Sequence, residues 1–175
     1  MITYDFVSAS LDSLDALQAE ILVLPFFSEE RPLRGAAGLV DWRLCGALSR
    51  KLMAGYLEGR FGEKALIASP GKIRSKGLLL VGLGRSDAFD IETAGRGCAV
   101  IVEALTQGSF STAAIALPGR SMDVITPLDA MQTWLAKAPP QSGFEEISIV
   151  EKAEEHRALE SLFDGLRRQA ESPLG

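Results

Sequence analysis

Histidine is almost missing from this chain of 175 residues: His156 is the only one, and cysteine occurs just twice, at Cys45 and Cys98. A lone imidazole builds no zinc site, which excludes the His-Glu-x-x-His metallohydrolases. In the run Glu154-Glu155-His156-Arg157 this histidine reads as an exposed helix residue. No Gly-x-Ser-x-Gly elbow occurs, and Gly71-Lys72-Ile73 lacks the upstream glycine and the following Ser or Thr of a phosphate loop. Long apolar runs are missing as well. None approaches the roughly 18 residues that a membrane span needs. Met1-Ile2-Thr3-Tyr4-Asp5 lacks the basic and apolar regions of a secretory signal, so the expected compartment is the cytoplasm. Positive charge is in short supply: 18 Lys and Arg against 23 Asp and Glu leave a net charge of −5. Such a balance has no global attraction for nucleic acid, and the short basic groups Lys72, Arg74, Lys76 and Arg167–Arg168 read as solvated faces. Neither nucleic acid nor a membrane is an expected partner. The two cysteines fall in helical patterns among apolar neighbours and read as inert buried thiols.

What is present is an ordinary globular composition, 47% hydrophobic and 23% charged, enough to bury one core over residues 1–175 as a single domain. Four apolar runs predict buried strands: Ala19–Phe27, Gly77–Gly82, Ala113–Leu117 and Ile147–Val150. Lys64–Ser69 and Ile2–Val7 predict weaker or edge strands. Between them lie helical patterns. Val40, Leu44, Leu48, Leu52 and Tyr56, widened by Cys45 and Met53, predict a helix over Leu39–Leu57. Ile91, Ala94, Cys98, Ile101, Val102 and Leu105 predict another over Asp90–Gln107, with Asp90 as cap and Gly108 as stop. A third begins at Thr126-Pro127-Leu128-Asp129 and ends before Pro139-Pro140. The last runs from Ala153 to about Ala170, with Leu159, Leu162, Phe163 and Leu166 inside. The stretch Pro139–Gly143 reads as a loop. Strands alternating with helices define an α/β layered class.

The paired acids Glu29-Glu30, Glu145-Glu146 and Glu154-Glu155 read as solubilising surface, because neighbouring residues point in different directions. No catalytic residue, metal ligand or cofactor is expected. Two glycine loops carry the remaining chemical interest. The first, Arg31 and Arg34-Gly35-Ala36-Ala37-Gly38, links a strand to a helix whose first N–H groups would face an anion. Arg31 and Arg34 would add donors. The second, Gly82-Leu83-Gly84-Arg85-Ser86-Asp87, follows a strong strand but carries Asp87 where a dinucleotide fingerprint has its third glycine. If the two strands are parallel neighbours, both loops line one crevice; two plain turns are the alternative.

The runs Ala19–Phe27, Pro32-Leu33-Arg34-Gly35-Ala36-Ala37-Gly38-Leu39-Val40-Asp41 and Leu79-Leu80-Val81-Gly82-Leu83-Gly84 resemble the N-terminal domain of leucyl aminopeptidases, the M17 peptidases. That domain is similar in fold to macro domains, the ADP-ribose-binding α/β/α modules. The resemblance covers roughly residues 5 to 150. It implies a three-layer α/β/α sandwich around a mixed, mostly parallel sheet. It does not imply peptidase activity, since the family's metals and catalytic residues belong to a C-terminal domain whose Asn-Thr-Asp-Ala-Glu-Gly-Arg signature is not in this sequence. The chain looks like a free-standing copy of the non-catalytic domain. Against macro domains, Gly35–Gly38 stands where the first phosphate loop belongs, and Asp12 stands near the aspartate used for adenine. The strand ending Pro25-Phe26-Phe27 supplies no asparagine for the distal ribose, which speaks against ADP-ribose hydrolysis.

Two readings follow. In the first, the chain is a regulatory or assembly module whose partner is another copy of itself or a full-length aminopeptidase, as the hexameric relatives imply. In the second, it binds ADP-ribose or another small phosphorylated ligand through Asp12, Arg34, Gly35, Ala36, Ala37, Gly38, Gly82, Gly84 and Arg85.

Overall fold

The computed structural model describes residues 2–69, 71–138 and 142–171. In chain order the elements are β1 (Thr3–Ser8), α1 (Leu11–Ala16), β2 (Ile21–Phe26), α2 (Gly35–Arg43), α3 (Ala47–Met53), β3 (Lys64–Ala68), β4 (Gly77–Gly82), α4 (Ile91–Gln107), β5 (Thr112–Ala116), α5 (Pro127–Lys137), β6 (Glu146–Glu151) and α6 (His156–Glu171). The strands form one sheet in the order β1-β6-β5-β2-β4-β3. Every neighbouring pair is parallel except β3–β4, which is antiparallel. Strands β2 and β4 are buried along their whole length, as their unbroken apolar runs require of central strands covered on both faces.

Side chains alternate across the sheet, so β2 feeds two cores. Ile21 and Val23 pack with Cys98, Ile101 and Trp134 beneath α4 and α5, and Leu22 and Leu24 pack with Leu14, Val40 and Leu48 beneath α1, α2 and α3. The three-layer α/β/α sandwich with a mixed, mostly parallel sheet is the observed architecture.

Several helix signals act as expected. The Asp90 carboxylate accepts the Thr93 N–H at 2.8 Å, and the Thr126 hydroxyl accepts the Asp129 N–H at 3.1 Å. The helix expected over Leu39–Leu57 does not exist as one piece. It starts at Gly35 and breaks at Cys45 and Gly46, whose φ values are +55° and +79°. The break is stabilised by Asp41, whose buried carboxylate accepts the N–H groups of Leu48 and Ser49 and the Ser49 hydroxyl, so that α2 caps α3. Cys45, Met53 and Tyr56 consequently leave the apolar stripe and face outward. Ile91, at the mouth of α4, is exposed as well. His156 is not a free surface residue. Its ring is half-buried near Phe6, and Nε2 lies 2.9 Å from the Glu151 carbonyl oxygen. The short helix α1, capped by Ser10, carries no periodic signal that six residues could show. Residues 139–141 of the expected Pro139–Gly143 loop lie outside the described residues.

Candidate functional site

Parallel strands place their carboxyl ends together, and ligands of open α/β sheets sit beyond those ends. Here the ends of β2, β5 and β6 border a cavity of about 280 Å³ whose walls include Pro25, Gly35, Ala36, Ala37, Arg120 and Glu151. The first glycine loop is therefore at the expected place. Gly35 has φ +57°, a left-handed conformation natural to glycine, and α2 starts on it. The N–H groups of Gly35, Ala36 and Ala37 precede the first helical hydrogen bond, from the Gly38 N–H to the Arg34 carbonyl at 3.1 Å.

Glu30, expected on the surface, holds this loop together. It is only 2% exposed. Its carboxylate accepts the N–H groups of Phe27 at 3.0 Å and Arg34 at 2.8 Å, and the hydroxyl of Ser121 at 3.0 Å. Burial pushes the Glu30 carboxyl above its ordinary value, and these three donors offset only part of that shift. The contact brings Gly35 against Ser121, where an added Cβ would lie 3.2 Å from the Ser121 Cα. The two loops that flank the cavity thus touch each other. Glu29 also has a partner: its carboxylate accepts the N–H and hydroxyl of Ser86. Burial opposes ionisation there, but the Ser86 hydrogen bonds prevail and hold the Glu29 carboxyl low.

The cavity wall contains a second buried charge. Arg120 and Glu151, 8% and 4% exposed at the side chain, pair in fork geometry at 2.7 and 3.3 Å. The guanidinium also donates to the Ile125 carbonyl at 2.7 Å and reaches Asp123 at 3.1 Å. Burial disfavours the Arg120 cation, but the Glu151 hydrogen bond and charge outweigh it and raise its pKa. No sequence signal could have joined these two residues, because β5 and β6 become neighbours only in the sheet.

The second glycine loop is not part of this cavity. The N–H groups of Gly82, Leu83 and Gly84 are taken by the carbonyls of Glu63, Phe26 and Gly59 at 2.8–2.9 Å. An added Cβ on Gly82 would lie 2.2 Å from the Arg60 carbonyl oxygen, so this glycine permits close packing on the turn before β3. Arg85 is paired with Asp87 at 2.8 Å, and that hydrogen bond holds the Asp87 carboxyl below its usual range. The expected single crevice lined by both loops is therefore not formed. Asp12 sits exposed on α1, outside the cavity wall. The Arg34 side chain is exposed, and the Arg31 guanidinium donates to the Glu30 carbonyl at 3.0 Å. Among the described residues, no group of three or more His, Cys, Asp or Glu side chains is placed to hold a metal ion, and no helix is long and apolar enough to cross a membrane.

A mixed six-stranded sheet between two helical layers, with its cavity at the strand carboxyl ends, defines a macro-like α/β/α domain. The macrodomain of Trypanosoma brucei in complex with ADP superposes with a TM-score of 0.70 at 12% identity, covering 91% of this chain and 68% of that one. A tomato leucine aminopeptidase mutant superposes with a TM-score of 0.62 at 16% identity, covering 91% of this chain and 35% of the enzyme. More specifically, residues 23–133 match the N-terminal domain of the cytosol aminopeptidase family, and the chain belongs to that family. A "Probable cytosol aminopeptidase" of Burkholderia mallei (strain SAVP1) is 33% identical over 111 residues, 61% of this chain. That match spans 22% of the relative's length.

Proposed function

We propose that this chain is a non-catalytic regulatory or assembly module, one domain over residues 1–175 that acts in the cytoplasm by binding another copy of itself or a full-length aminopeptidase. The observation that carries this reading is the closed junction of Glu30, Gly35 and Ser121. It leaves about 280 Å³ at the strand ends, at the lower edge of the roughly 300–1,000 Å³ of ordinary small-molecule sites. The charges in its wall are matched to each other, as Arg120 and Glu151 are. Such a site suits a structural joint better than a reaction centre. Light scattering of the purified chain, and pull-down with an aminopeptidase of the family, test the reading. A defined oligomer or a stable complex is expected; a monomer that captures no aminopeptidase overturns it. Chelator-sensitive turnover of a leucyl substrate by the pure protein, with manganese or zinc added, overturns the non-catalytic part.

One observation favours binding of ADP-ribose or another phosphorylated nucleotide. The N–H groups that open α2 stand at the cavity wall, where a helix N-terminus favours an anion. On this reading Arg34, Gly35, Ala36, Ala37 and Gly38 hold the ligand, while Asp12, Gly82, Gly84 and Arg85 lie elsewhere. Millimolar ADP-ribose would then raise the melting temperature, and Gly35→Asp would abolish the rise. No shift with ADP-ribose, ADP, AMP or inorganic phosphate removes this alternative.

A further inference from the structure

We propose that the face formed by α1, α2 and α3 binds a second copy of this chain in a two-fold contact, an inference that rests on the assembly reading above. Residues 31–76 hold ten of the 18 Lys and Arg residues, Arg43, Arg50 and Lys51 of them on α2 and α3, against three acids, Asp41, Glu58 and Glu63, a net charge of +7 over the segment. The whole chain is −5, so the other residues carry −12. The acids of the segment do little to quench its field. Asp41 is buried on the start of α3, and Glu63 gathers the N–H groups of Glu58, Gly59 and Arg60. Among the described residues only Arg43 and Arg60 of the ten cations are ion-paired, with Asp15 and Glu58. Lys51 lies 5.8 Å over the Tyr56 ring, and Lys72 Nζ sits 3.5 Å from Cys45 Sγ.

Among the described residues the same segment displays the three most exposed large apolar side chains: Trp42 at 71%, Met53 at 77% and Tyr56 at 78%. Trp42 also walls a cleft of about 610 Å³, with Pro32, Leu33, Arg43, Cys45 and Lys72 around it. Apolar side chains rimmed by unpaired cations mark a surface for a partner that is itself both apolar and acidic.

The choice of partner follows from the neighbouring helix. Residues 1–30 contain six acids and no Lys or Arg, and two of those acids, Asp12 and Asp15, lie on α1. Helix α1 exposes Asp12 and touches α2 through the Asp15–Arg43 pair at 3.0 Å, and α2 runs into α3 at Leu44–Gly46. The face therefore presents Asp12 on α1, Trp42 on α2, and Arg50 and Lys51 on α3, with Lys72 near Cys45 at the α2–α3 corner. In a two-fold contact centred near Trp42, Asp12 of each copy would meet Arg50 and Lys51 of the other, the self-complementarity that an isologous dimer needs. A polyphosphate would meet the exposed Asp12 as well as the cations, on a chain whose net charge is −5, which favours a second copy over nucleic acid.

Sedimentation equilibrium of the purified chain tests this. A dimer is expected at low ionic strength, with a Kd that rises roughly tenfold or more in high salt. Asp12→Lys and Lys51→Glu should each weaken it by a similar factor, Trp42→Ala should do so without salt dependence, and the double variant Asp12→Lys/Lys51→Glu should regain affinity. Unchanged melting temperatures guard against misfolding. An oligomer indifferent to all these substitutions overturns this surface but keeps the assembly reading. A monomer at every ionic strength, with no aminopeptidase captured, overturns both. A monomer whose mobility is shifted by a dT20 oligonucleotide overturns the dimer and reassigns the face.

Discussion

Glu30 and Ser121, 91 residues apart in sequence, meet at the mouth of the sheet, where the Ser121 hydroxyl donates to the Glu30 carboxylate at 3.0 Å. This bond ties the β2–α2 loop to the segment after β5, and it sits on a carboxylate that also organises Phe27 and Arg34.

Glu30→Gln replaces one acceptor oxygen by an NH₂ group facing a buried N–H, and should cost about 1–3 kcal/mol in urea unfolding. The pH dependence carries a sign. The folded state raises the Glu30 pKa above its ordinary 4.5, so it binds the proton more tightly than the unfolded chain does. The stability of the native protein relative to Glu30→Gln should be greatest below pH 4.5 and fall as pH rises through the folded-state pKa. Glu20 has the opposite sign. Hydrogen bonds from the Thr112 and Ser111 N–H groups hold its carboxyl low, so its contribution is present above pH 4.5 and lost as pH falls. A difference between native protein and Glu30→Gln that grows with pH contradicts the assignment.

Arg120→Met strands the Glu151 carboxylate, which is 4% exposed, without its cation. The expected loss is about 3–5 kcal/mol. Arg120→Met/Glu151→Leu should recover most of it, since an apolar pair of similar size avoids the desolvation of both charges. A double-variant loss equal to the sum of the Arg120→Met and Glu151→Leu losses, read by chemical denaturation, would show that the pair is not coupled.

Gly82→Ala drives a methyl group to 2.2 Å from the Arg60 carbonyl oxygen and into the backbone of Gly59, neither of which is a flexible side-chain end. A loss of about 1–3 kcal/mol is expected. Gly71→Ala is the comparison: it has φ +83° but nothing within 4 Å, so it carries only the left-handed backbone cost of about 1–2 kcal/mol. Melting curves that rank Gly71→Ala as the more damaging contradict the packing role of Gly82.

The two thiols should differ sharply toward a maleimide or a disulfide reagent. Cys98 is 1% exposed in the core, and burial pushes its thiol up to about 12. Cys45, on the α2–α3 corner, is exposed. One thiol per chain should react in the native state and two in denaturant, with mass spectrometry placing the first label on Cys45. Early labelling of Cys98 would mean that α4 opens readily.

The unbroken apolar runs at Ile21–Phe26 and Gly77–Gly82 announced central strands, and Thr126-Pro127 announced a helix start, because burial pattern and capping are written into contiguous residues. The α2–α3 break was hidden by a four-residue apolar period that runs through Val40, Leu44, Leu48 and Leu52 without interruption. All four remain buried, as the pattern requires, but by two helices meeting at Gly46 rather than by one. Glu30 was illegible for a different reason. Nothing local separates an acid on the surface from an acid whose donors arrive from another loop.

The amino-acid order thus settled the α/β class, the positions of the strands and most helix ends, all of which depend on interactions within a few residues. The folded molecule decided which carboxylates are buried, that Arg120 meets Glu151, that of the two glycine loops the Gly35 loop borders the cavity, and that Trp42 faces outward. Those outcomes depend on strand order and on contacts between distant segments, which no local period encodes.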